Sequence, residues 1–306
     1  MEFITDVTIM DTPSMNDQYC IVPKGLNLQI GDQVRILVGT ALAIYTVKSY
    51  QEDTNMIITL NGKDRLHLTS HIVSGIVQGP SVVCPKPLTD AEAKAQSEFI
   101  ERMYDDGGDN YHGFLCIAPH GGHIDLKTDF QAERVHQALP RTSLWMCKGY
   151  KSGGGAFQQW HTSSNDISPN SFPALKRIME PKRKFTTCVA FHGMAEGGVL
   201  IGGLAPLELK RQVQQAIMER INDPTIAVRF STKHDCCNGL APNNCVNWLT
   251  KDGSGGIQIE QDRTVRKKYW MNVADAVIDV FAPVYGGTDD KFSKRILNSN
   301  TKKSLQ

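Results

Sequence analysis

Apolar and polar positions change their rhythm once along this chain, near residue 80. From Asp17 to about Gln78, short apolar or β-branched runs alternate with turn residues. The runs are Ile21–Val22, Gln33–Val38, Ala41–Ser49, Met56–Leu60 and Arg65–Leu68, punctuated by Lys24-Gly25, Gly31-Asp32 and Asn61-Gly62. Runs of this length predict strands. Asn-Gly between two of them predicts a hairpin. Residues 1–80 are therefore expected to form a small all-β, barrel-like domain of SH3-like size, its role unassigned.

Gly79-Pro80 and Cys84-Pro85-Lys86-Pro87 break that pattern, and residues 81–112 read as a linker with one helix, N-capped by Thr89 with Glu92 completing a capping box. From about Gly113, strand-like and helix-like stretches alternate. Expected strands are Phe114–Ala118, Ser143–Met146, Thr186–Phe191, Val199–Gly202, Thr225–Phe230 and Gly256–Ile259. Expected helices are Thr128–Ala138, with a second capping box from Thr128 to Gln131, then Phe172–Met179, Pro206–Ile221 and Val265–Phe281. Such alternation predicts an α/β fold: a mixed, mainly parallel sheet flanked by helices, over residues 113–285. Residues 286–306 remain as a tail.

The strand ends hold the candidate chemistry. His120 and Asp125 follow the first buried-type run, His192 the run before Gly193, and Glu260 ends the last. In open α/β sheets such ends converge on one crevice. Two imidazoles and a carboxylate suit zinc, which in catalytic sites takes three protein ligands and leaves a position for water. A further carboxylate, Glu260, then stands as general base; its other reading is a cap on the following helix. In Pro119-His120-Gly121-Gly122-His123-Ile124-Asp125 either histidine can serve as ligand, and His120, nearer the strand end, is the better anchored. Arg263 and Arg266 lie beyond Glu260, able to bind a substrate carboxylate or to pair with nearby acids. Trp160-His161-Thr162-Ser163-Ser164 reads equally as a substrate loop and as a surface turn. Asn243, Asn244 and Asn247 offer amides, with loop capping the simpler use.

Composition sets outer limits. Net charge is +1, from 33 Lys+Arg and 32 Asp+Glu, which excludes a global attraction to nucleic acid. The basic stretches at Lys182-Arg183-Lys184 and along Lys291–Lys303 read as a solvated face and a loose end. Met1–Met10 lacks the cationic start and apolar core of a secretory signal. No run reaches membrane-spanning length, so no membrane partner is expected. Of the eight cysteines, Cys236, Cys237 and Cys245 are close in sequence; packing, a disulfide or a second metal site are their readings, without the repeated CxxC of structural zinc sites.

Taken together, Ala118–Asp125, Trp160–Ser164, Val189-Ala190-Phe191-His192-Gly193, Ile201-Gly202-Gly203-Leu204 and Gly255–Glu260 make residues 110–282 resemble the phage-type poly-γ-glutamate hydrolases. The resemblance implies a zinc carboxypeptidase-like fold with one catalytic Zn2+. It implies His120, Asp125 and His192 as ligands, Glu260 as base, and hydrolysis of γ-glutamyl amide bonds. Lys148, Lys151, His161, Asn247, Arg263 and Arg266 are the candidates to hold a polyanionic peptide substrate. The chain departs from the family pattern at two places, with aspartate where glutamate is usual (Asp125) and Asn247-Trp248 where an Asn-Arg pair is common. The rival readings are a zinc carboxypeptidase or amidase on cell-wall or N-acyl amino-acid substrates, and an inactive polymer-binding module. A cytoplasmic monomer, freed by lysis if phage-encoded, is the expectation.

Overall fold

The structure is a computed structural model that describes residues 2–10, 17–51, 57–61, 65–66, 72–105, 113–180 and 185–286. Gly62, the end of the run expected to Leu68, the basic Lys182–Lys184 stretch and the tail from 287 lie outside the described residues.

Strands β1 (Glu2–Met10), β2 (Tyr19–Pro23), β3 (Gln33–Val38), β4 (Ala41–Gln51), β5 (Ile57–Asn61) and β6 (Ile72–Gln78) close into a barrel in the order β1-β5-β2-β4-β3-β6. Alternate residues fill it: Val34 and Ile36 from β3 meet Ala43, Tyr45 and Val47 from β4, as the period of two requires. The barrel is expected, but its wiring differs from an SH3-like chain of hairpins. β1 pairs parallel with β5, and β2 parallel with β4. The expected hairpin turn at Asn61-Gly62 lies partly outside the described residues; among those described, β5 pairs with β1 and β2, and Arg65 and Leu66, expected to start the hairpin's second strand, lie in a turn. β1 and β6 escaped the sequence reading, since each finds its partner far along the chain.

The second unit opens with helix α1 (Asp90–Gln96), capped by the Thr89–Glu92 box as expected. Strand β7 (Phe99–Tyr104) then falls in the stretch expected as linker and forms a sheet edge, antiparallel to β9. There follow β8 (Phe114–Gly122), α2 (Thr128–Ala138), β9 (Ser143–Gly149), α3 (Ala156–Trp160), α4 (Pro173–Ile178), β10 (Thr187–Gly193), β11 (Val199–Gly202), α5 (Leu207–Ile221), β12 (Val228–Phe230), α6 (Cys245–Trp248), β13 (Gly256–Gln261), α7 (Arg263–Lys268) and α8 (Trp270–Tyr285). The sheet runs β12-β11-β13-β10-β8-β9-β7, parallel across β13-β10-β8-β9 and antiparallel where β11 meets β13. It is the mixed, mainly parallel sheet the alternation predicts.

Both faces of this sheet are buried, which is why its strands read as unbroken apolar runs. Phe114, Cys116 and Ala118 pack under Val273, Val277 and Phe281 of α8, while Leu115 and Ile117 face Trp160, Phe172 and the barrel's Ile44. Full burial of a side chain of this size contributes about 1.5–3 kcal/mol. Two helix expectations need correction. The helix expected at Val265–Phe281 is divided at Tyr269 between α7 and α8. At α2 the cap is Lys127 in the left-handed region, φ 79°, with no side-chain cap bond; the Thr128 hydroxyl donates to the Asp125 carbonyl instead, and Gln131 bonds Gln261. Among the described residues no helix is long and apolar enough to cross a membrane.

Candidate metal centre

Three neighbouring strands, β8, β10 and β13, deliver the candidate side chains to one rim. The β10–β13 register sets His192 opposite Glu260, and His120 lies in the register shift of β8 between Ala118 and Gly121, after which pairing with β9 resumes. The turn after His120 closes with the Asp125 N–H donating to the His120 carbonyl at 2.7 Å. That turn brings the short aspartate arm back to the site. His120, Asp125 and His192 are each about 96–98 % buried, with exposures of 4 %, 4 % and 2 %.

Their donor atoms converge. His120 Nδ1 lies 3.2 Å from His192 Nδ1 and 3.5 Å from Asp125 Oδ2. His120 Nε2 is 2.7 Å from the Thr162 carbonyl oxygen. A carbonyl only accepts, so Nε2 carries the proton and Nδ1 keeps its lone pair. With one ligand atom from each of the three residues, all lie within 4.8 Å of one another. Ligands about 2.0–2.1 Å from a tetrahedral ion stand about 3.3–3.4 Å apart, so the two short separations fit a shared small cation. The donor set of two imidazoles and a carboxylate fits a borderline ion such as zinc. Asp125 Oδ2 also accepts from the Gly193 N–H at 3.0 Å. A Cβ at Gly193 would meet the Arg266 guanidinium carbon at 2.6 Å and Asp125 Oδ1 at 2.8 Å, so a larger residue there would have to displace one of these side chains.

Glu260 is 4 % exposed; its Oε1 accepts from Gln258 Nε2 at 2.8 Å, and Oε2 is buried without a hydrogen-bond partner among the described residues. Burial, reinforced by the negative charge of Asp125, pushes its carboxyl well above the usual range, against the opposing pull of Gln258 and Arg266. Burial and the neighbouring His120 push the His192 imidazolium well down, so this ring is neutral. A neutral imidazole and a partnerless carboxylate oxygen are what ligation and proton abstraction need.

The cleft above these groups has a volume of about 500 Å3. Of the expected substrate residues it brings in His161 and Arg266. His161 stacks between Phe157 and His120, with ring centroids 4.2 Å from each. The other four do not line it. Lys148 is buried in its own ion cluster, 2.7 Å from both Asp90 and Glu133 and 3.5 Å from Asp129. Asn247 donates to the carbonyls of Gly239 at 2.7 Å and Ala241 at 2.9 Å and accepts from the Leu204 N–H at 3.1 Å. Arg263 is exposed on α7, and the Lys151 carbonyl faces the His123 ring at 3.2 Å. His123 itself stands outside the converging group, against Tyr150.

Gln258 is a cleft residue that escaped the sequence reading. Gln258 orients Glu260, and its position two residues earlier on the same strand face was the available signal. Cys236 and Cys237 line the cleft with their sulfurs 3.1 Å apart, and all eight cysteines are free. Cys245 is buried at the start of α6, as packing predicts. Asp262, not Glu260, caps α7.

A bacteriophage poly-gamma-glutamate hydrolase shares 22% identity, covering 61% of this chain and 90% of its own, with a TM-score of 0.45. A zinc-free YNDL structure shares 19%, over 64% and 96%, with a TM-score of 0.46. A putative carboxypeptidase A from Shewanella denitrificans shares 10%, over 93% and 89%, with a TM-score of 0.42. No curated protein matches the chain significantly. The sequence profile of the poly-gamma-glutamate hydrolases matches residues 94–278, and the chain belongs to that family.

Proposed function

We propose that the chain is a zinc-dependent hydrolase of γ-glutamyl amide bonds, with poly-γ-glutamate-like chains as substrate. The observation that carries this is the meeting of His120 Nδ1, His192 Nδ1 and Asp125 beside the partnerless Oε2 of Glu260 in one cleft. His120, Asp125 and His192 would hold the ion. A divalent ion there supplies Lewis acidity toward a carbonyl oxygen and makes water more acidic.

The remaining steps belong to the chain's own side chains. Glu260 takes the proton from the attacking water through Oε2, while Gln258 fixes the other oxygen. The same carboxyl then returns the proton to the departing amine. Its raised pKa suits both tasks, since it strengthens the carboxylate as a base and keeps the acid form populated nearer neutrality to serve as proton donor. Arg266, held by its Nε bond to the Gln261 carbonyl at 3.1 Å, offers its guanidinium to a substrate carboxylate. That role stands in for the arginine that Trp248 replaces.

The test is metal analysis of the purified chain followed by a panel of α- and γ-linked glutamate oligomers. Stoichiometric zinc and cleavage confined to γ-links are expected. Cleavage of α-links or N-acyl amino acids alone moves the assignment to the carboxypeptidase or amidase reading. Absence of both metal uptake and hydrolysis overturns the enzyme and leaves a binding module.

A further inference from the structure

The segment from Phe157 to Ser171 walls the cleft with Phe157, His161, Ser163, Ser164 and Asn165, yet much of what holds it comes from the barrel. Arg65, 7 % exposed, donates to the carbonyls of His161 at 2.8 Å and Phe157 at 3.1 Å, and to the Ile44 carbonyl within the barrel. Gln18 Oε1 accepts from the Ser163 N–H at 3.1 Å. The Tyr19 hydroxyl donates to the Asp166 carboxylate at 2.9 Å. Gln33 Nε2 donates to the Asp166 carbonyl at 2.6 Å, its Oε1 accepts from the Ser168 N–H at 3.2 Å, and its own N–H donates to Ser171 Oγ at 2.7 Å.

Between the Arg65 anchor on His161 and the Gln18 anchor on Ser163 sits Thr162. Its carbonyl receives the His120 Nε2 proton. The bond that leaves His120 Nδ1 with its lone pair is thus made by a peptide unit clamped on both sides by barrel side chains. A ring nitrogen's hydrogen bond sets the tautomer and aim of the other nitrogen, and removing such a partner typically costs about 10- to 100-fold in metal affinity or activity.

We infer that the N-terminal barrel is a positioning part of the metal centre: through Arg65 and Gln18 it holds the Thr162 carbonyl that orients His120. The inference rests on the proposed reading that His120, Asp125 and His192 hold a cation. Arg65 suits the task because its planar fork serves several carbonyls at once, whereas the ammonium of lysine is a point donor.

The test uses the full chain, with Arg65→Met, Arg65→Lys and Gln18→Ala beside the unsubstituted protein. Three quantities are measured: Zn2+ affinity by chelator competition, amide hydrogen exchange across 157–166, and the ring-nitrogen NMR shifts of His120. Arg65→Met is expected to weaken zinc binding by about 10- to 100-fold, speed exchange in 157–166 and mix the His120 tautomers. Arg65→Lys should fall between it and the unsubstituted chain, and Gln18→Ala should move the same readouts in the same direction. If Arg65→Met does not fold, Gln18→Ala carries the decision. Folded variants with unchanged zinc affinity and an unchanged His120 tautomer overturn the inference. An unsubstituted chain that takes up no zinc overturns the functional reading on which it rests, and the inference with it.

Discussion

Glu260→Gln separates proton transfer from every other task of the cleft. The substitution keeps shape and volume, and the glutamine carbonyl oxygen can still accept the 2.8 Å bond from Gln258. What it removes is a carboxylate oxygen, Oε2, that is buried and has no hydrogen-bond partner among the described residues. A positioned general base contributes about 10²- to 10⁴-fold, which converts to about 2.7–5.4 kcal/mol of barrier. Folding should respond the other way. Burial disfavours ionised Glu260, with Asp125 adding to the effect, so a neutral isostere leaves stability unchanged or raises it by about 1 kcal/mol, as relief of a destabilised active-site group commonly does. The assay is kcat for γ-glutamyl oligomer cleavage by zinc-loaded protein, run beside denaturant unfolding and metal analysis. A variant with normal zinc content and kcat within tenfold of the unsubstituted enzyme refutes the base. Lost metal content refutes the assumption that Glu260 stands apart from the ligands.

Lys148→Met leaves Asp129, whose side chain is 3 % exposed, without its counter-charge. Breaking a buried ion cluster by removing one partner costs about 3–5 kcal/mol; thermal unfolding should show the loss, and adding Asp129→Asn should recover part of it, with KM unchanged because Lys148 lies outside the cleft. Asn247→Leu leaves the buried Gly239 carbonyl and the half-buried Ala241 carbonyl without their side-chain donor, at about 1–3 kcal/mol for the buried one by the cost of unsatisfied groups; a raised KM with normal stability would instead restore a substrate role. Asp223 accepts from the Thr225 hydroxyl, the Tyr269 hydroxyl and the Thr225 N–H, which hold its pKa down at about 2. Its folded value lies below the unfolded one of about 3.9, so its contribution is complete above pH ~4 and lost as pH falls toward ~2. The stability difference between the unsubstituted chain and Asp223→Asn should therefore close across that window in acid unfolding, and a constant gap contradicts the assignment.

The residues themselves determined the strands that matter and what stands at their ends. β3 and β11 have the limits expected from their apolar runs, and β8, β10 and β13 begin within a residue of expectation. Strand identity depends on local burial and backbone preference, both of which a short run records. His120, Asp125, His192 and Glu260 were legible for the same reason, each placed just past a buried run. Which strands lie side by side was not, because pairing depends on partners far along the chain; hence β1, β6 and β7 went unseen. The tertiary structure alone decided that the Asn247 amide goes to loop carbonyls and the Lys148 ammonium to an ion cluster, that His120 rather than His123 joins the converging group, and that Arg65 reaches across from the barrel. A polar side chain's type states what bonds it can make, and only the surrounding fold determines which partner comes within about 3 Å.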